Sequence, residues 1–211
     1  MTMIDTLIFD VSETLLNFGF IKVTDEMGFT RDCSTALDGA IHSTTFWRDL
    51  DRSRVTFDEA LSGLKTAAGQ YSRQMEYFVR HYPEYMPPIA NNVTFLEDAK
   101  RSGARVLYLS DFHRHGWAGI TRIYDFFKLF EGGVVSWECG FLKPDHRIFE
   151  TLIEKYGLVA GNCMFFDDRA GNVAAAAEMG FHAVTFTLGD DIYELASQNG
   201  YAVENMNDLL I

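Results

Sequence analysis

Short apolar runs that end on polar side chains constrain the fold of this 211-residue chain most strongly. Runs of this length and composition are typical of strands that are buried on both faces of a parallel sheet. Five such runs occur, the third being the weakest, at residues 4–10, 104–110, 133–136, 163–168 and 182–187. Three of them end on side chains that can take part in catalysis or metal binding, namely Asp10, Ser110 and the pair Asp167 and Asp168.

Helical patterns lie between the predicted strands. Residues 146–156 have helical periodicity up to Gly157, and residues 172–179 have it up to Gly180, where glycine makes a natural stop. Alternating strands and helices predict an α/β fold with a Rossmann-like parallel sheet and helices on both faces. The C-terminal residues 203–211 are expected to form a short final strand or helix.

Residues 16–92 do not continue this alternation. They have helical periodicity at 56–68 and 70–81, followed by a proline-rich break at 82–88. We therefore interpret the segment as an inserted helical cap. The predicted division is an α/β core of residues 1–15 and 93–211, with the cap at 16–92.

The charge balance restricts the partners of the chain. Thirty acidic and 18 basic side chains give a net charge of −12, which disfavours a nucleic-acid binder because such proteins concentrate Lys and Arg. Three widely spaced cysteines, Cys33, Cys139 and Cys163, offer neither a disulfide framework nor a CxxC zinc site. The start of the chain has no basic segment, and no run of about 18 apolar residues follows. A cytoplasmic protein without membrane contact is expected.

The polar ends of parallel strands meet at one edge of a sheet, where ligands bind. Asp10, Ser110, Asp167 and Asp168 are therefore expected to share this edge. Crowded carboxylates repel one another unless a cation lies among them, and oxygen-only ligands suit Mg²⁺ together with a substrate phosphate. A carboxylate such as Asp10 can attack phosphorus, while Lys143 helps to hold the charge on the phosphoryl oxygens.

These residues stand in segments that resemble the four motifs of the haloacid dehalogenase (HAD) superfamily of hydrolases. The segments are 9–15 (FDVSETL), Ser110, 140–145 (GFLKPD) and 165–172 (FFDDRAGN), and they occur in the family's order over nearly the whole chain. The fourth is most similar to a branch that includes sugar-phosphate phosphatases and the phosphatase domain of epoxide hydrolases. The resemblance implies a Mg²⁺-dependent phosphatase that acts on a small phosphorylated metabolite.

The resemblance also implies roles for the residues of the first two motifs. Asp10 would be the nucleophile and a metal ligand, and Ser12 would give its backbone carbonyl to the metal. Ser110 would donate its hydroxyl to the phosphoryl group, helped by the backbone amides of Val11, Ser12 and Asp111. The Asp111 side chain itself could be a fourth carboxylate near the metal, but it is expected instead to point away and cap a helix.

The third and fourth motifs imply the remaining roles. Lys143 would pair with the nucleophile and the phosphate. Asp168 would bind the metal directly and Asp167 through water, while Asn172 would orient their loop. Thr14 is a supporting residue of the first motif.

The chain departs from the family pattern in the first motif. Family phosphatases usually have Asp-x-Asp-Gly-Thr, but here the second Asp is Ser12 and the Gly is Glu13. The second Asp normally protonates the leaving group, and serine is a poor substitute because its hydroxyl does not ionise near neutral pH. Either the leaving group needs little protonation, so that aryl and sugar 1-phosphates react faster than alkyl phosphates, or another acid is borrowed. Glu13, His113 and an ordered water are the candidates.

Two other functions stay open on the sequence. A metal-independent 2-haloacid dehalogenase also lacks the second Asp, but its fourth motif resembles Ser-Ser-Asn, so Asp167 and Asp168 argue against it. A catalytically impaired binding or regulatory protein is the other alternative, under which the retained motifs would be a coincidence. The sequence does not give the oligomeric state.

The cap is expected to close over the site and to determine specificity. Trp47, Arg48, Arg52 and Arg54 form a basic and aromatic cluster that could meet a phosphate ester, although each is more often ordinary surface charge or packing. His113 and His115 are expected in a loop over the sheet edge, close to the leaving group or exposed to solvent.

Overall fold

The computed structural model describes residues 3–203. Within that range one parallel sheet has the strand order β3-β2-β1-β4-β5. Its strands are β1 Thr6–Phe9, β2 Arg105–Ser110, β3 Gly132–Val135, β4 Cys163–Asp167 and β5 His182–Thr185. Each overlaps one of the five predicted runs, and the predicted α/β class is confirmed. All but the first residue of the predicted C-terminal element 203–211 lies outside the described residues.

The helices connect these strands and build the insertion. They are α1 Phe20–Glu26, α2 Arg31–His42, α3 Phe46–Asp51, α4 Phe57–Ala68, α5 Ser72–His81, α6 Ala90–Arg101, α7 Arg114–Ile123, α8 Ser136–Cys139, α9 His146–Tyr156, α10 Ala170–Glu178 and α11 Ile192–Gln198. Helix α9 has the predicted bounds, and it ends at Gly157 in the left-handed conformation. No helix among residues 3–203 is long and apolar enough to cross a lipid bilayer.

The sheet separates two hydrophobic clusters. Successive side chains of a strand point to opposite faces, so Leu7 and Phe9 of β1 join one cluster and Ile8 joins the other. Helices α6 and α11 pack on the first face, and α9 and α10 pack on the second. Because both faces are covered, the central strands are fully buried, which explains their nearly continuous apolar sequence.

Helices α1 to α5 form the insertion. Helix α4 packs against α2, α3 and α5, and its first turn is closed by a capping box between Thr56 and Glu59. Gly63 of α4 faces the ring of Phe46, and a Cβ at this position would collide with that ring. The close approach of α3 to α4 therefore depends on glycine.

The predicted border between insertion and core requires a correction. Residue 92 lies inside α6, which begins at Ala90 and packs on β2. Asn92 itself is buried and donates its side-chain amide to the backbone oxygen of Thr14 at 2.6 Å. The insertion therefore ends before α6. The helical periodicity of residues 90–101 follows the proline-rich break closely, and the pattern itself does not show that this helix belongs to the core.

Strand β1 has β2 on one side and β4 on the other, so the chain runs outward in both directions from the centre of the sheet. A crevice forms at the carboxyl ends of the strands where the order reverses in this way. Asp10, Ser110 and Asp167 lie at the ends of β1, β2 and β4 beside this crevice.

Candidate active site

Three carboxyl groups converge at the carboxyl ends of β1 and β4. One oxygen from each of Asp10, Asp167 and Asp168 lies within 4.8 Å of the others. Asp10 and Asp167 are buried, and Asp168 is half-buried. Buried carboxylates at this spacing repel one another, so the ionised site requires positive charge from the protein or from a bound cation.

Lys143 supplies the positive charge that comes from the protein. Its buried ammonium lies 2.9 Å from Oδ1 of Asp10 and donates to Oδ2 of Asp167 at 2.6 Å and to the backbone oxygen of Leu109 at 2.9 Å. Burial alone would lower the pKa of Lys143. The carboxylates of Asp10, Asp167 and Asp111 together raise it by more than burial lowers it, so the net shift is upward. Lys143 is therefore a permanent cation.

The carboxyl group of Asp10 is oriented by three donors. Its Oδ1 accepts the N–H of Val11 at 2.6 Å and the hydroxyl of Ser110 at 2.7 Å, in addition to the ammonium of Lys143. Burial nevertheless raises the pKa of Asp10 to about 6, because Lys143 offsets only part of the desolvation. The Val11 N–H, which was predicted to hold phosphate, is thus used by Asp10 in this structure.

Asp167 and Asp168 have different surroundings. Asn172, at 2% exposure, donates its side-chain amide to both oxygens of Asp167, at 2.8 and 3.0 Å, and the Arg169 N–H donates to Oδ1 at 2.9 Å. With Lys143 as well, Asp167 has a partner for each oxygen. Asp168 lines the cavity, and burial together with Asp167 raises its pKa to about 6.

The loop after β1 turns sharply at the unusual residue of the first motif. Glu13 has a φ of 60°, in the left-handed region that favours glycine, which is the family residue here. The Glu13 carboxylate accepts the N–H of Phe18 at 2.6 Å, and the Glu13 N–H donates to the oxygen of Leu16 at 2.7 Å. Glu13 therefore holds the chain as it enters the insertion. Ser12 lines the cavity, whereas Thr14 is buried and its hydroxyl has no partner among the described residues.

Asp111 does not cap a helix, contrary to the expectation for its side chain. Its Oδ1 accepts the backbone N–H of Lys143 at 3.1 Å, and the residue lines the cavity. Burial is the main cause that raises the pKa of Asp111 to about 7. The site consequently has a fourth carboxyl group beside the three that converge.

His113 lies in the loop after β2, as expected, and caps α7, but it neither lines the cavity nor is exposed to solvent. It is fully buried, its Nδ1 accepts the N–H of Gly116 at 3.1 Å, and its Nε2 lies 3.2 Å from the hydroxyl of Tyr82. Burial lowers the pKa of His113 to about 3, so the ring is neutral and unable to act as an acid at neutral pH. His115 is exposed, as one of the two expectations for it stated.

A cavity of about 730 Å³ lies between these groups and the insertion. Its polar floor includes Asp10, Lys143 and Asp168, which come from the core. The insertion and its entry loop contribute apolar, cationic and acidic side chains to the walls, including Phe18, Phe20, Ile41, Trp47, Arg48, Arg52, Asp38 and Asp51. Trp47 also packs against Phe78, Tyr82 and His113, so it joins the cavity wall to the interior. Arg54 is not among the residues that line this cavity.

The family of the chain is decided by a comparison over most of its length. Residues 4–180 match the model of the haloacid dehalogenase-like hydrolases, a span that includes every site residue described above. The chain belongs to this family. The matched span contains Asp10, Ser110, Lys143 and Asp168, which carry the resemblance seen in the sequence.

Individual HAD relatives are distant. The chain is 23% identical over 149 residues to the sesquiterpene phosphatase astK of Aspergillus oryzae. This aligned region covers 71% of this chain and 76% of that protein. A HAD family enzyme of Bacteroides thetaiotaomicron, solved with magnesium and inorganic phosphate, has a TM-score of 0.71 at 18% identity and covers 91% of this chain and 98% of its own.

Dehalogenases share the fold as well. The L-2-haloacid dehalogenase of Xanthobacter autotrophicus, with chloropropionic acid covalently bound, has a TM-score of 0.66 at 13% identity over 99% of this chain and 88% of its own. These structural likenesses establish the HAD fold and leave the substrate to be argued from the site.

Two side chains lie near the HAD site although nothing in the sequence pattern predicts them there. Ser136 donates its hydroxyl to the backbone oxygen of Phe112 at 3.2 Å and accepts the Phe112 N–H at 3.0 Å, which ties β3 to the loop after β2. Asp51, a buried acid of α3, lines the cavity. An Asp in a charged helical segment usually faces solvent, so only the packing of the insertion against the core reveals it.

Proposed function

We propose that this HAD hydrolase is a Mg²⁺-dependent phosphatase that hydrolyses a small phosphate monoester through an aspartyl-phosphate on Asp10. The observation that carries the proposal is the convergence of Asp10, Asp167 and Asp168 within 4.8 Å around the ammonium of Lys143. One monovalent cation does not balance these carboxylates when all are ionised. The residual negative charge fits a divalent metal.

The donor set fits magnesium. Every candidate ligand is an oxygen, and of the three converging carboxyl groups Asp168 is the one that both lines the cavity and is half-exposed. Asp10, Asp168 and the backbone carbonyl of Ser12 would hold the ion, with Asp167 acting through water because its oxygens already have partners. When bound, the ion would neutralise charge on the carboxylates and on the phosphoryl oxygens.

The residues of the chain divide the remaining work. Val11, Ser110 and Lys143 fix the orientation of the Asp10 carboxylate through Oδ1, so that one of its oxygens would attack phosphorus while the other faces the metal. The bond between phosphorus and the leaving oxygen breaks, and the phosphoryl group moves to Asp10. Lys143 and the Ser110 hydroxyl would stabilise the charge on its oxygens. Water then attacks the same phosphorus and releases inorganic phosphate and the free carboxylate.

The cavity walls indicate the type of substrate. A volume of about 730 Å³ accommodates a small phosphorylated metabolite. The phosphoryl group would meet the core residues, and the organic part would meet the apolar and cationic side chains of the insertion. The similarity to a sesquiterpene phosphatase agrees with an apolar contribution. The three free cysteines fit a reducing, cytoplasmic location.

The two alternative functions fit the site less well. A metal-independent dehalogenase has no use for the acidic pair at the end of β4, where charge would oppose its anionic substrate. A binding protein without catalysis would not require the three donors that fix Oδ1 of Asp10. The phosphatase uses both features.

The decisive experiment measures hydrolysis of para-nitrophenyl phosphate with and without Mg²⁺. The wild type is expected to release nitrophenol only with the metal, and Asp10→Asn is expected to reduce the rate to background. Asp25→Asn, at an exposed position of α1, serves as the control. Equal rates for wild type and Asp10→Asn would refute the nucleophile. Chloride release from 2-haloacids in the presence of a chelator would instead establish the dehalogenase.

A further inference from the structure

Asp51 is a buried carboxyl group on the insertion side of the cavity. It is the last residue of α3, it is 6% exposed, and it lines the same cavity as Asp10 and Lys143. Its Oδ1 is buried and has no hydrogen-bond partner among the described residues. Buried polar atoms are nearly always paired, so an unpaired carboxyl oxygen at a cavity wall calls for a functional explanation.

The surroundings of Asp51 favour its protonated form. Burial raises the pKa of Asp51 well above its ordinary value, and the charge of Asp111 raises it further. The backbone N–H of His113, which donates to the Asp51 carboxyl group, and the Arg52 guanidinium oppose this shift only in part. Tyr82 is a further titratable group near Asp51, and it is neutral because burial raises its own pKa. A C-terminal helix position also disfavours a negative charge.

The position of Asp51 suits contact with a leaving group. The groups that would hold the phosphoryl moiety, Ser110 and Lys143, belong to the core, whereas Asp51 belongs to the insertion. A phosphate ester bound with its phosphorus at Asp10 must extend its leaving group away from the strand ends, into the part of the cavity that the insertion covers. Asp51 stands in that part, near Asp111, the residue that follows Ser110.

We propose that Asp51 donates a proton to the oxygen of the leaving group and so replaces the acid that Ser12 cannot provide. This inference rests on the proposed phosphatase function. As the phosphorus–oxygen bond breaks, the departing oxygen takes the proton of Asp51 and leaves as an alcohol. The resulting Asp51 carboxylate takes a proton from the water that attacks the aspartyl-phosphate. Both carboxyl groups then return to their starting states, and no further reactant is needed.

The test compares substrates whose leaving groups differ in acidity, with the full-length chain and Mg²⁺. Asp51→Asn is expected to lower kcat/KM for alkyl phosphates by about 10²-fold or more. Hydrolysis of para-nitrophenyl phosphate is expected to change by less than about 10-fold, because nitrophenolate departs without a proton. The variant would then favour aryl phosphates, as predicted for a site without an acid. Asp49→Asn, on the same helix but not lining the cavity, should leave both rates unchanged.

Rescue separates proton donation from a structural role. Ser12→Asp, which restores the acid of the family pattern, is expected to recover alkyl phosphate hydrolysis in the Asp51→Asn background. Equal losses on alkyl and aryl substrates, or no loss on either, would overturn the assignment of Asp51. So would a failure of Ser12→Asp to restore the alkyl rate.

The wild type gives a second measure that does not depend on how Asp51→Asn folds. With an acid in place, its kcat/KM should depend weakly on the acidity of the leaving group, and a steep dependence would overturn the inference. Absence of any Mg²⁺-dependent hydrolysis in the wild type would instead refute the proposed phosphatase itself, and with it the role of Asp51.

Discussion

The ammonium of Lys143 lies 2.6 Å from Oδ2 of Asp167, and both side chains are buried. The same ammonium lies 2.9 Å from Oδ1 of Asp10, so one cation joins the ends of β1 and β4. A buried charge that loses its partner is strongly destabilising, and carboxylates left without a cation become protonated instead. Lys143 therefore keeps Asp10 ionised, which a nucleophile requires.

Lys143→Met tests this dependence. The substitution keeps the apolar stem and removes the charge, so kcat/KM for phosphate esters is expected to fall by about 10²-fold to 10³-fold or more. The pKa of Asp10, followed through the pH dependence of the rate, should rise. Lys128→Met, at an exposed position, is the control and should leave the rate unaltered. A variant with full activity would show that the metal alone can sustain the site.

Binding of magnesium to Asp168 can be measured apart from catalysis. Mg²⁺ is expected to raise the Tm of the wild type, because a ligand that binds only the folded state stabilises it. Asp168→Asn should weaken Mg²⁺ binding, measured by calorimetry, by about 10-fold or more. Asp25→Asn again provides the comparison. Identical Mg²⁺ affinities for wild type and Asp168→Asn would remove Asp168 from the ligand set.

Asn172 offers a test of how the acidic loop is oriented. Its amide donates to both oxygens of Asp167, and Asn172→Ala would remove these two bonds and leave only Lys143 and the Arg169 N–H to orient that carboxylate. We expect about a 10-fold to 100-fold loss of activity or Mg²⁺ affinity, the usual effect of removing a partner of a metal ligand. Asn199→Ala, on the exposed end of α11, should have no effect. A loss of Tm without a change in Mg²⁺ affinity would assign Asn172 to stability alone.

The fold and much of the site could be predicted from the sequence because both depend on local patterns. Apolar runs such as 163–168 indicate buried strands, and parallel strands bring their polar ends together whatever the connecting loops do. Asp10 and Asp168 were located in this way, whereas Lys143, which lies outside the strands, was identified through the resemblance of residues 140–145 to a family motif. Glu13 at a position that favours glycine was visible as a departure, but its bond to the Phe18 N–H depends on the path of the chain into the insertion.

Long-range packing determined what could not be predicted. His113 and Asp51 are polar residues in hydrophilic segments, which suggests exposure, yet the contact between insertion and core buries both. The aromatic side chains of Trp47 and Tyr82 that cover His113 come from residues more than thirty positions away. The sequence pattern around His113 or Asp51 does not indicate a contact with residues so far away in the chain.

Burial of neutral His113 makes stability depend on pH. The pKa of His113 is lowered from 6.5 to about 3 in the folded protein, so the unfolded chain takes up a proton below pH 6.5 that the folded chain refuses. The stabilisation is therefore complete above pH 6.5 and is lost as the pH falls towards about 3. The loss amounts to about 1 kcal/mol per pH unit in this window.

Carboxyl groups with raised pKa values, such as Asp51, have the opposite dependence, so the wild-type curve alone does not isolate His113. His113→Asn retains an acceptor for the Gly116 N–H and cannot be protonated. The difference in unfolding free energy between wild type and His113→Asn, from urea titrations at constant ionic strength, is expected to shrink by about 1 kcal/mol between about pH 6 and pH 5. A pH-independent difference would mean that the folded protein protonates His113 at its ordinary pKa, which its burial against Trp47 and its bond to Tyr82 oppose.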